Sequence, residues 1–399
     1  MMSISRRGLL EWDKATIPRE EYERRVESVR NVMGKEGLDA LLIYSSMQRT
    51  GNVCYLTHYL APMAGFGALA ILPIRGPVSL LVERGPRDLP FVKTLTWVED
   101  VRSSADADMR VSYANETHKI LEGLKLTDGK IGLVGVETTM SVPIYQEFKQ
   151  LFSALPRTKF TDATDFYETM RVTKTQAEIN AIRKSANVAD SAYAALAKNA
   201  QKGRKEFEVA AHIDRAARLG GAEDFSLLFA TGSYAEKALR PVGDVEIEEG
   251  SFIMSRFLAL TSRYWAEVGR TAIVGSAPKE KERLLKATRG AFEKAVEIMK
   301  PGVAVSRVAK EAIQQARAAG YGDYVKHEYG FGHGIGLEQN EKPFITEQND
   351  AALKSGMVIA VCLGVHKPKV GGAFFSDTFL IKDGGFERLS KTDYEVRIG

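Results

Sequence analysis

The residues best suited to chemistry lie in one run, Gly330-Phe331-Gly332-His333-Gly334-Ile335-Gly336-Leu337, with Glu338, Asn340, Glu341 and Pro343 close behind. Four glycines flank one histidine, so the backbone can bend tightly around an imidazole with almost no side-chain bulk beside it. An imidazole framed this way can meet a ligand or a metal at close range, and it titrates near neutrality, as acid/base work requires. The same run also fits a glycine-rich turn whose histidine only caps a strand. The rest of the chain has to decide.

The elements that position this run follow from hydrophobic period and punctuation. Residues 18–37 read as an amphipathic helix, with Pro18 at its start and Gly37 past its end. Residues 38–44, 53–59, 67–73 and 78–83 read as strands parted by Gly and Pro. A helix over 111–124, a strand over 130–136 and a helix over 143–151 follow. Strands and helices alternate, so residues 1–170 are expected to form an α/β domain.

From residue 171 the pattern changes, and 171–399 is expected to be a second domain. Thr175 and Glu178 have capping-box spacing, and Ile179, Ile182, Ala186, Ala189, Tyr193 and Leu196 keep to one helix face. A second helix fits 206–219, ending at Gly220-Gly221. Paired strands follow at 252–260 and 264–274, then helices at 278–299 and 305–319. After the histidine run come strands at 358–365 and 374–381. Helix, helix, strand pair thus occurs twice, an architectural duplication without a clear sequence repeat. Two such halves would leave a cleft on the sheet with His333 at its wall.

With 399 residues the chain can bury a large core, and its 44% hydrophobic and 27% charged residues are ordinary for a globular protein. A net charge of +4, from 55 basic and 51 acidic residues, argues against nucleic acid as a partner. Two cysteines, Cys54 and Cys362, make no disulfide framework and favour a reducing compartment. The stretch 1–12 has no apolar core like that of a signal peptide, and the apolar runs 68–73 and 78–82 have strand length rather than membrane-span length. A cytoplasmic protein without membrane association is expected.

Gly332-His333-Gly334-Ile335-Gly336-Leu337, Arg270-Thr271 ending a strand, and Gly356-Met357-Val358 opening another resemble the creatinase/prolidase/methionine aminopeptidase family, peptidase M24. The resemblance covers nearly the whole chain, including the stretch 53–58 and the helix from Thr175. It implies a "pita-bread" catalytic domain behind a creatinase-type N-terminal domain. It also implies a homodimer in which the partner's N-terminal domain lines the site. Peptidases of this family carry two divalent metals on two Asp, one His and two Glu. Carried over position by position, the Asp positions hold Arg256 and Glu267, the histidine is His333, and the Glu positions hold Cys362 and Ser376, with Asp377 after it. The family's second histidine falls on Asn340.

Two dications need several bridging carboxylates, and Arg256 would put a permanent positive charge among them. No metal and no other cofactor is therefore expected, although a lone Zn²⁺ on His333, Cys362 and Glu267 is chemically allowed. Creatinase shows that the fold works without metal, but its catalytic histidine falls here on Leu239, beside Arg240. The chain is thus expected to be a metal-independent hydrolase cleaving a C–N bond in a small polar substrate that bears a carboxylate. An inactive binder, a lyase or decarboxylase, and a metallo-aminopeptidase with altered ligands are the alternatives.

The catalytic candidates are His333, Glu267 and Cys362. A Cys–His pair would make a nucleophile, but a small buried hydrophobe is the commoner fate of such a cysteine. Arg256 is either a strand-borne partner of Glu267 across a hairpin or a bidentate anchor for a substrate carboxylate. Arg240, Glu338, Glu341, Ser376 and Asp377 are candidate substrate contacts, with Arg263 and His366 behind them. His58, with Tyr55 and Arg49, is expected on the N-terminal loop that approaches a neighbouring cleft. A solvated loop position explains each of these equally well.

Overall fold

The computed structural model describes residue 8 and residues 11–61, 67–105, 112–327 and 330–398, so most of the basic opening stretch, and Val111 of an expected helix, lie outside the described residues. The chain divides between Arg171 and Val172 into two compact units.

In the first unit, strands β1 (Ala40–Ser45), β2 (Ala68–Pro73), β3 (Ser79–Val82), β4 (Asp100–Ser103), β5 (Lys130–Val134) and β6 (Lys159–Asp162) form one sheet in the order β4-β3-β2-β1-β5-β6. Helices α1 (Arg19–Glu36), α2 (Gly51–Thr57), α3 (Leu89–Thr94), α4 (Tyr113–Gly123), α5 (Val136–Thr139), α6 (Val142–Ala154) and α7 (Thr164–Met170) accompany it. Leu42, Leu69, Ile71, Leu81 and Leu133 pack with Tyr113, Leu121, Phe148 and Leu151 in its core. Each large side chain so buried contributes about 1.5–3 kcal/mol before entropy is counted.

Two expectations are corrected here. Residues 53–59 are not a strand: 51–57 form α2, every residue of which is buried. A short run that is apolar on all sides carries no period, and contacts such as Val53 N donating to Ser45 Oγ at 2.9 Å decide its shape. His58 is not an exposed loop residue either. It caps α2 at φ 61°, is 1% exposed, and meets the Tyr22 hydroxyl through Nδ1 at 2.5 Å. The rings of Trp12 and Tyr22 lie 6.5 and 5.7 Å away.

The second unit runs α8 (Gln176–Asn199), α9 (Glu206–Leu219), β7 (Asp224–Thr231), β8 (Phe252–Thr261), β9 (Tyr264–Val274), α10 (Lys279–Glu297), α11 (Val305–Ala318), β10 (Gly332–Gly334), β11 (Glu341–Phe344), β12 (Val358–Lys367) and β13 (Gly371–Lys382), with β14 (Gly385–Arg388) and β15 (Val396–Ile398) at the end. The capping box is formed: Thr175 accepts from the Glu178 amide, and Glu178 accepts from the Thr175 amide. The sheet order β11-β10-β12-β13-β9-β8-β7 shows the duplication, because the halves meet through antiparallel pairing of their last strands, β9 and β13.

Side chains alternate across this sheet. Ile253, Phe257, Val268 and Ala272 face α8 and α9, while Ile359, Val361, Leu363, Phe375, Phe379 and Ile381 face α10 and α11. The opposite face of the same strands carries the candidate site.

Candidate active site

His333 sits at the middle of β10, held between β12 and β11. Gly332 has φ 139°, and a Cβ there would lie 2.2 Å from the Ala360 carbonyl oxygen, so only glycine lets β10 lie this close to β12. At Gly336 a Cβ would meet Lys174 Cε at 2.9 Å and Glu341 Oε2 at 3.0 Å. The glycine frame therefore serves two ends: close strand pairing and room for a buried ion pair.

Register gathers the other candidates into two rows. Arg256 lies opposite Gly269, Gly269 opposite Ser376, and Ser376 opposite Cys362. One step along the strands, Thr378 lies opposite Ala360, and Ala360 opposite His333. Glu267 adjoins that second row, its amide donating to Thr378 Oγ1 at 2.8 Å. The intervening residues are small, so long side chains from the ends can converge above them.

They do converge. Arg256 Nε and one terminal nitrogen donate to the two Glu267 oxygens at 2.9 and 2.7 Å, the fork geometry of an arginine–carboxylate pair. That terminal nitrogen lies 3.4 Å from His333 Nε2, and Glu267 Oε2 lies 3.7 Å from the same atom. His333 Nδ1 faces the Gly334 carbonyl at 3.0 Å. A carbonyl can only accept, so Nδ1 carries the proton and Nε2 presents its lone pair to the cluster. Burial lowers the His333 pKa, with Arg256 adding to the effect and Glu267 opposing it, so the ring is neutral at neutral pH. Burial pushes the Glu267 carboxyl up, but Arg256 and then His333 outweigh it and hold it below its ordinary value.

Cys362 joins Ala230, Met254 and Phe374 in a small apolar cluster on this face, with Leu239 packed against it. Burial pushes its thiol up to about 12, and Glu267 adds to the effect. Burial thus disfavours the thiolate that the nucleophile reading requires.

Other expected contacts go elsewhere. Asp377 cannot share a face with Ser376, its chain neighbour. It points to the helix side, where it pairs with Arg270 at 2.7 Å and accepts from Ser390 Oγ at 2.9 Å. Period-two alternation would have separated the two from sequence alone. Arg240 turns its side chain to Glu206 at 2.7 Å and to the Tyr234 ring at 4.2 Å, away from the cluster, while the preceding Leu239 faces it. Arg263 is fully buried against Glu223 at 2.6 Å. Glu341 is buried in an ion pair with Lys174 at 2.7 Å, accepts from the Glu338 amide at 3.1 Å, and lies close enough to His333 to raise its pKa. Glu338 is buried beside it. Sequence reasoning missed Lys174, and only the space reserved at Gly336 points to it.

Residues 180–383 match Metallopeptidase family M24, and residues 25–173 match the Creatinase/Prolidase N-terminal domain. The chain belongs to metallopeptidase family M24. It is 29% identical over 374 residues to an Xaa-Pro dipeptidase of Pyrococcus horikoshii, covering 93% of this chain and 98% of that one. An Xaa-Pro dipeptidase of Pyrococcus furiosus is 34% identical over 70% of this chain and 78% of its own length. Among solved structures, the X-Pro aminopeptidase of Thermotoga maritima superposes with a TM-score of 0.82 at 25% identity, covering 94% of this chain and 99% of that one. The prolidase of P. horikoshii superposes with a TM-score of 0.78 at 27% identity, with the same coverage. This kinship confirms the expected mixed α/β fold, a creatinase-type domain before a pita-bread domain. It is a kinship with hydrolases of C–N bonds.

M24 membership implies metal, and the donor set of this chain disagrees with it. Among the described residues no group of three or more His, Cys, Asp or Glu has an arrangement that could hold a metal ion. A guanidinium occupies both oxygens of Glu267, leaving that carboxylate committed to Arg256. These residues do not fit a divalent metal.

Proposed function

We propose that this M24 chain hydrolyses a C–N bond in a small, polar, carboxylate-bearing substrate without a metal. The observation that carries the reading is Arg256 gripped by Glu267 and standing 3.4 Å from His333 Nε2, a fixed cation where a metallopeptidase would need anionic ligands. The Arg256 side chain is 23% exposed while Glu267 is fully buried, so the outer edge of the guanidinium faces what enters. That edge suits a substrate carboxylate or the oxyanion of a tetrahedral intermediate. Neutral His333 takes a proton from water at Nε2 as the water attacks the carbon, and Glu267 stabilises the imidazolium that forms. The same proton then passes to the departing nitrogen as the C–N bond breaks. Because Glu267 is already paired and ionised, proton transfer falls to His333.

Support for a homodimer comes from the resemblance, and support for a cytoplasmic location from two buried cysteines that form no disulfide. No helix among the described residues is long and apolar enough to cross a membrane. Sedimentation showing a fully active monomer would overturn the dimer.

The deciding assay is a panel of small amino-acid amides, N-acyl amino acids, guanidino acids and Xaa-Pro dipeptides, followed by released amine with and without EDTA. Turnover that survives EDTA, in protein holding far less than one equivalent of Zn, Mn, Fe or Co, is expected. Stoichiometric metal together with activity lost in EDTA would sink the reading and favour a metallo-aminopeptidase with altered ligands.

A further inference from the structure

Three hydroxyls lie on the site face of the central strands, and two are fully committed to backbone. Thr378 Oγ1 donates to the Glu267 carbonyl at 2.9 Å and accepts from the Glu267 amide at 2.8 Å. Thr271 Oγ1 donates to the Phe374 carbonyl at 3.0 Å and accepts from the Phe374 amide at 2.8 Å. Ser376 lies between them in the weave. Its side chain is 0% exposed, and its Oγ finds no partner of hydrogen-bonding geometry. A buried hydroxyl left this way is unfavourable unless something binds it. Buried waters in proteins satisfy such groups.

The surroundings of Ser376 say what that something is. Directly opposite stands Gly269, where a Cβ would meet the Phe374 ring at 2.5 Å and Ser376 Oγ at 2.9 Å, so backbone and an aromatic ring wall this side of the hydroxyl. On its other side stands Cys362, a thiol held neutral. The Glu267 carboxylate is close enough for Ser376 to help hold its pKa down. A neutral guest with both donor and acceptor capacity fits between a hydroxyl and a carboxylate, whereas an anion would be repelled by Glu267.

We propose that Ser376 Oγ and the Glu267 carboxylate together seat the water that attacks the substrate. The inference rests on the hydrolytic reading above. Ser376 fixes the oxygen lone pair, Glu267 accepts one water hydrogen, and His333 Nε2 removes the other as the new C–O bond forms. The proton on His333 then leaves with the amine, so atoms and charge balance.

The test pairs a readout without turnover with one that needs it. In crystals of wild-type protein an ordered water within hydrogen-bond distance of both Ser376 Oγ and Glu267 is expected, and Ser376→Ala should lack it. Wild-type crystals without that water overturn the proposal, whatever the enzyme turns over. With a substrate from the panel, Ser376→Ala should lose about ten- to a hundredfold in kcat with KM nearly unchanged. Its melting temperature should stay close to wild type, since the hydroxyl bonds no other protein group that the variant would leave unpaired. A water that disappears while kcat per folded molecule stays at the wild-type value makes the water structural and also overturns the proposal. Failure of every substrate in the panel would count against the hydrolytic reading, while the crystals would still report on the seat.

Discussion

Arg256 and Glu267 are diagonal partners across the β8–β9 hairpin, joined by two charge-assisted bonds of 2.9 and 2.7 Å, with His333 Nε2 against the shared edge. The pairing anticipated as a brace is thus present, and the anchor role must act through the part of the guanidinium that Glu267 leaves facing outward.

Arg256→Lys separates anchor from brace. Lysine keeps the charge and can still pair with Glu267, but it loses the planar fork. An anchor predicts a loss of about ten- to a hundredfold in kcat/KM, from about 1.5–3 kcal/mol of charge-assisted bonding, with little change in melting temperature. A lower melting temperature with turnover per folded molecule intact would leave only the brace.

Arg256→Met removes the charge and strands a fully buried carboxylate, a loss of about 3–5 kcal/mol at neutral pH. Without its partner Glu267 has a pKa raised by burial. A raised folded pKa contributes stability that is present at low pH and lost as pH rises through it. The melting-temperature gap to wild type should therefore shrink as the solution is acidified. A gap that widens toward acid would contradict the assigned electrostatics.

His333 acts as a base only when neutral, and its pKa lies below the ordinary 6.5. The acid limb of kcat/KM should accordingly fall below pH 6.5. Glu267→Gln removes the charge that raises the His333 pKa while leaving Arg256, which lowers it, so the limb should move further toward acid. A shift toward neutral pH would exclude His333 as the titrating group.

Asp377→Ala should unfold more than it disables. Arg270 is 0% exposed and would lose its carboxylate, at a cost of about 3–5 kcal/mol. Turnover per folded molecule should stay within about threefold, because Asp377 faces the helices rather than the site. A variant of wild-type stability that has lost its activity would place Asp377 in the chemistry after all.

Cys362→Ala should keep kcat within a few-fold of wild type, and iodoacetamide at neutral pH should label Cys362 only after unfolding, since its thiol pKa is about 12. Rapid alkylation of the native protein with matching loss of activity would restore the thiol nucleophile.

Much of this molecule was legible in the residue order. Capping signals and apolar period placed α1 and α8 to α11, and the paired strands β8, β9, β12 and β13, because those signals are local. The glycine run marked His333, and the resemblance led to the expectation that Arg256, Cys362 and Ser376 stand where the family's peptidases carry acidic ligands. Tertiary structure alone decided the rest. Which face of β13 looks into the site depends on its pairing with β9, more than a hundred residues away, and that pairing puts Ser376 over Gly269 and sends Asp377 to Arg270. Packing on all sides turned 51–57 into a helix and drew His58 into an aromatic interior. Lys174 reached Glu341 through space cleared by Gly336. Local pattern sets an element's type, but register and burial are settled by contacts distant in the chain, and those contacts choose which side chains meet.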